Sequence, residues 1–126
     1  MRRKRCLALL AGIFSLLPLS VTFAGEEHAV LIFLRYPLSG PGSKEAVHRL
    51  FELEDQIAAA IEQAGVGEHD GNEVGGGEFT IYCYGPNADK LFAAIEPVLV
   101  RSKITKDGRV VIRYGKPGAK QAERRL

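Results

Sequence analysis

The sequence predicts an α+β domain, a four-stranded antiparallel sheet with two helices packed on one face. Three observations lead there. Ala29–Leu34 is an unbroken apolar run that ends in Arg35-Tyr36-Pro37, which suits a central strand covered on at least one face. Two later segments repeat apolar residues at helical spacing. Between them, Gly65–Pro86 folds a polar strand against an apolar-aromatic alternation across Gly75-Gly76-Gly77. The order is strand, helix, strand, strand, helix, strand. With right-handed crossovers this is the split βαβ arrangement of a ferredoxin-like βαββαβ sandwich.

Each element has its own warrant. Pro37–Gly42 contains two prolines and two glycines and reads as a loop. Ser43 suits a helix N-cap and Glu45 the first turn. Val47, Leu50, Phe51, Ile57, Ile61 and Ala64 then form one face, opposite Lys44, Arg49, Glu52, Asp55, Glu62 and Gln63, until Gly65 ends the helix. Val66–Val74 and Glu78–Tyr84 are the hairpin strands. Gly85-Pro86-Asn87 turns into a second helix, Asn87–Val100, with Leu91, Ile95, Val98 and Leu99 inward. Pro97 should kink or end that helix near Glu96, because its ring clashes with the carbonyl four residues back. Lys106-Asp107-Gly108 is a turn, Arg109–Tyr114 the last strand, and residues 116–126 a basic, mobile tail.

The first 24 residues read as a signal peptide. Met1-Arg2-Arg3-Lys4-Arg5 precedes an apolar stretch from Cys6 to Leu19, and Thr22 and Ala24 are the small residues that cleavage after Ala24 needs. The apolar run is about 14 residues, short of the roughly 20 that span a bilayer. No stable membrane anchor is expected after cleavage, and the product is periplasmic or secreted. The whole chain has 17 basic and 15 acidic residues. Four of the bases leave with the signal, so residues 25–126 carry a net charge of −2 and form one domain, 25–115, plus the tail. Cys83 is then the only thiol, no intrachain disulfide is possible, and its place in an alternating strand suits burial.

Strand alternation assigns two faces. Val30, Ile32, Leu34, Phe79, Ile81, Cys83, Val110, Ile112 and Tyr114 point at the helices. The open face then carries Leu31, Phe33, Tyr82, Tyr84 and Val111, with Glu78, Thr80, Arg35, Arg109 and Arg113 around them. An apolar-aromatic patch rimmed by charge is a candidate interface. Its possible occupants are the tail, a second copy in a homodimer, or a foreign protein or small ligand; the remaining alternative is an ordinary solvated face with none. Single-stranded RNA readers also stack bases on such a face. Gly77–Tyr84 lacks the basic first residue and second glycine of that motif, and the net charge is negative, so no nucleic acid is expected.

The densest polar cluster lies in the hairpin. His69, Asp70, Glu73 and Glu78 are residue types that bind zinc or manganese, and a metal-dependent hydrolase built on them is the alternative function. On a regular strand no three of them converge. Asp70–Gly75 matches the start of a calcium loop but fails at Val74 and Ile81. The bland account is a charged edge strand that discourages pairing. No Gly-x-Ser-x-Gly occurs, and no cofactor is expected.

Charge is sorted along the chain. Residues 26–78 hold 11 acids against 3 bases, and residues 101–126 hold 9 bases against 2 acids. The tail could therefore lie on the acidic hairpin or steer a partner. The leading expectation is a non-enzymatic, exported binding module. Its candidate contacts are Phe33, Arg35, Asp70, Asn72, Glu73, Glu78, Tyr82, Tyr84 and Arg113.

The run Asp70–Asp89, DGNEVGGGEFTIYCYGPNAD, continued by Leu91-Phe92 and Ala94–Leu99 and later by Arg113–Gly118, resembles a group of small bacterial proteins of uncharacterised function. The resemblance covers nearly all of the chain after residue 24. It implies no activity, cofactor or catalytic residue, and the export segment is a departure from the group.

Overall fold

The computed structural model of the protein describes residues 27–126, and the signal peptide expected over 1–24 lies outside the described residues. The elements run β1 (His28–Arg35), α1 (Ser43–Ala64), β2 (Glu68–Gly75), β3 (Glu78–Gly85), α2 (Ala88–Arg101), β4 (Arg109–Arg113) and β5 (Gln121–Arg125). They form an α+β fold with a five-stranded sheet in the order β2-β3-β1-β4-β5, every neighbour antiparallel.

The sheet has one strand more than expected. Residues 116–126, expected as a mobile tail, contain β5, which pairs with β4 from Arg109↔Arg125 to Arg113↔Gln121. All five residues of β5 are exposed and none is large and apolar, so hydrophobic periodicity gives no sign of it. The backbone ladder with β4 holds it, together with the Leu126 N–H donated to Gly108 O at 3.0 Å and Leu126 packed on the edge of the core.

The alternation in β1, β3 and β4 places the core as expected. Val30, Ile32, Leu34, Phe79, Ile81, Cys83, Val110 and Ile112 are buried with Leu50, Leu53, Ile57 and Ile61 of α1 and Leu91, Ile95, Val98 and Leu99 of α2. Both helices therefore lie on one side of the sheet. Phe51 is at the margin, 42% exposed, and meets Phe79 edge-on. The hairpin turns at Gly76 and Gly77, with φ of 58° and 79°, the paired positive values that a tight two-residue turn requires.

Three local expectations change. Gly42, not Ser43, is the N-cap of α1, and no side chain caps it. Asn87 caps α2, accepting the Lys90 N–H at 3.0 Å. Pro97 does not end α2, which runs on to Arg101. Pro97 and Ala93, the residue whose carbonyl loses its helical donor, are both exposed, so water can take that acceptor.

Candidate functional site

The site begins with the sheet face that no helix covers. Cross-strand partners share a face, so the registers give its rows directly. One row runs Glu73, Thr80, Phe33, Arg109, Arg125. The next runs Gly71, Tyr82, Leu31, Val111, Glu123, and the third runs Glu68, Tyr84, Ala29, Arg113, Gln121. Glu78 and Arg35 pair at one end. The structure thus brings Phe33, Arg35, Glu73, Glu78, Tyr82, Tyr84 and Arg113 onto one surface. β5 extends the sheet sideways instead of folding over it, so the tail is not the cover.

The patch is not bare. The Arg109 guanidinium lies 3.9 Å over the Phe33 ring and reaches Glu123 at 3.3 Å and Glu78 at 3.9 Å. The Tyr82 hydroxyl donates to Glu73 Oε1 at 2.6 Å. Thr80 and Val111, expected to be open, are covered to 7% and 6% exposure. The bond to Glu73 is the main cause that raises the Tyr82 hydroxyl above its ordinary pKa. Tyr84 is raised first by burial and then by the Asp70 carboxylate, while Arg113 opposes both. Asp70 therefore acts on the same end of this face. A recess of about 250 Å³ opens there beside Glu27, Glu68, Tyr84 and Pro86.

His69 and Asn72 go the other way, because β2 carries a bulge. Asp70 and Gly71 together oppose Tyr82, with the register shifting between His69 and Gly71, and Gly71 takes a φ of 137°. Residues 69 and 72 would fall on opposite faces of a regular strand. The extra residue puts both on the helix side, opposite Cys83 and Ile81. There they converge on Glu54 of α1. His69 Nε2 donates to Glu54 Oε2 at 2.6 Å, and Asn72 Nδ2 donates to Oε1 and Oε2 at 2.9 and 3.1 Å.

Glu54 is only 6% exposed and is absent from the expected site. Its signal was the stripe Leu50, Glu54, Ile57, Ile61, a carboxylate at a core position of the helix that needs partners from elsewhere.

The set expected for the metal alternative is taken apart by the same bulge. His69 is bound to Glu54 on the helix side, Glu73 to Tyr82 on the open side, and Glu78 lies by Arg109. No three His, Cys, Asp or Glu side chains among the described residues converge as a metal-holding group. A carboxylate-held imidazole is also the orienting half of a nucleophile pair. Cys83, its cross-strand neighbour, does not complete one. Burial, with the Glu54 charge second, pushes the thiol up to about 12, so it stays protonated at neutral pH.

Among the described residues no helix is long and apolar enough to cross a membrane. Comparisons with protein-family models, curated proteins and solved structures find no match.

Proposed function

We propose that this chain is an exported, non-enzymatic binding module that works through the open face of its sheet. The strand order β2-β3-β1-β4, antiparallel throughout, supports reading the domain as a ferredoxin-like sandwich with β5 added at one edge. One observation carries the functional reading. Leu31, Phe33, Tyr82 and Tyr84 sit half-buried on adjacent strands of a face that neither helix nor the tail covers, between an acidic side and a basic side. Aromatic and arginine side chains at the centre of a rigid sheet are what protein-contact surfaces are enriched in. The Glu54–His69–Asn72 contacts serve this reading by fastening the edge strand β2 to α1.

A photocrosslinking residue at position 84 tests the reading in the producing cell, with His48, exposed on the outside of α1, as the control position. Discrete adducts from position 84 and none from position 48 are expected. A clean monomer from position 84, and again from position 82, overturns the proposal.

A further inference from the structure

We infer that the partner on the open face is a second copy of this chain, related by a two-fold axis parallel to β1; this rests on the reading of that face as a binding surface. β1 is the central strand, with β3 and β2 on one side of it and β4 and β5 on the other. The β2–β3 half presents Glu68, Glu73 and Glu78 on the open face. The β4–β5 half presents Arg109, Arg113 and Arg125, with Glu123 among them.

The basic half is short of anions. Arg109 takes both Glu78 and Glu123, and among the described residues neither Arg113 nor Arg125 has a carboxylate within ion-pair distance. Arg109 and Arg125 are direct cross-strand partners, where like charges repel. A partner that lays carboxylates over this half removes that repulsion.

Two symmetric arrangements keep the strands aligned when the face is laid on its own copy. With the axis across the strands, β2 lies on β2 and β5 on β5, acid against acid and base against base. With the axis along β1, the β2–β3 half of each copy lies on the β4–β5 half of the other. Glu73 then faces Arg125 of the partner copy, and Glu68 faces Gln121 with Arg113 in the adjacent column, twice over, as an isologous contact requires. Phe33 and Leu31 of β1 meet their own counterparts at the axis. Two sheets packed face to face take this near-aligned geometry, with inner faces about 10 Å apart. Charge selects the axis, and the half-buried aromatic band supplies the apolar contact.

Sedimentation velocity tests this on the protein purified as its own cell processes it. A reversible dimer is expected in the micromolar range, with Kd weakening at least tenfold between about 0.05 M and about 1 M salt. The double variant Glu68→Lys, Glu73→Lys should be monomeric, because both halves are then basic. The double variant Arg113→Glu, Arg125→Glu should be monomeric because both are acidic. Mixing the two should restore a dimer that is strictly one of each, which also shows that both variants are folded. A wild-type protein that stays monomeric across this range, a salt-insensitive dimer, or variants that each still pair with themselves overturns the inference. In those cases an adduct from position 84 to a different protein would leave the binding reading standing with another partner.

Discussion

His69 Nε2 lies 2.6 Å from Glu54 Oε2, and this bond ties the edge strand β2 to the inner stripe of α1. The carboxylate is buried and accepts from both His69 and Asn72, so its three hydrogen bonds replace the water it gave up on folding.

Removing one partner should therefore cost more than removing the set. His69→Ala is expected to lower stability by about 2–3 kcal/mol, since it leaves a buried carboxylate on one neutral donor. Glu54→Leu combined with His69→Ala should recover part of that loss. A double-mutant cycle by urea denaturation reads the coupling, and additive losses would show that the pair is not a unit.

The bulge gives a second test. Deleting Asp70 restores a regular strand with His69 still opposite Cys83 and Gly71 still opposite Tyr82. The bonds from both His69 and Asn72 to Glu54 should survive, with stability changed by less than about 1 kcal/mol. Gly71→Val should cost about 1–3 kcal/mol, because a β-branched residue is strained at that positive φ. The histidine side-chain resonances of the deletion variant report directly whether the bond to Glu54 persists.

β5 should matter to stability although it buries little of itself. Deleting residues 119–126 removes the β4–β5 ladder and Leu126, and leaves β4 as a bare edge. A loss of about 2–3 kcal/mol is expected, with increased self-association of the truncated protein through that edge. An unchanged denaturation midpoint would mean that β5 is only loosely attached.

Cys83 should be silent in the folded protein. With its pKa pushed from 9.0 up to about 12, the thiolate available near neutral pH falls by about a thousandfold, before steric burial is counted. Alkylation should proceed only in denaturant.

The same shift has a consequence for stability. Below about pH 9 both folded and unfolded states hold the proton, so Cys83 adds no pH dependence. Between about 9 and about 12 only the unfolded state releases it, and stability should fall by on the order of 1.4 kcal/mol per pH unit. Cys83→Ala should flatten that slope without abolishing it, because Tyr84, also raised by burial, titrates in the same direction. Denaturant midpoints across this range, wild type against variant, measure it.

By itself the sequence determined the α+β class, both helices, the first four strands and the two faces of β1, β3 and β4. Period-2 and period-3.6 burial patterns are local, and Val30, Ile32 and Leu34, or Leu50, Ile57 and Ile61, state them plainly. Tertiary structure alone decided three things. β5 has no apolar period, and a strand held by backbone pairing and one terminal leucine becomes legible only when the β4 edge is there to receive it. Glu54 at a core position needed partners from a strand distant in sequence. The bulge at Asp70 chose which side chains of β2 would be those partners, since one extra residue in a period-2 element reverses the face of everything before it. That single insertion sends His69 and Asn72 beneath the sheet and keeps Glu68 and Glu73 above it, so it divides the acidic hairpin between the α1 side and the open face.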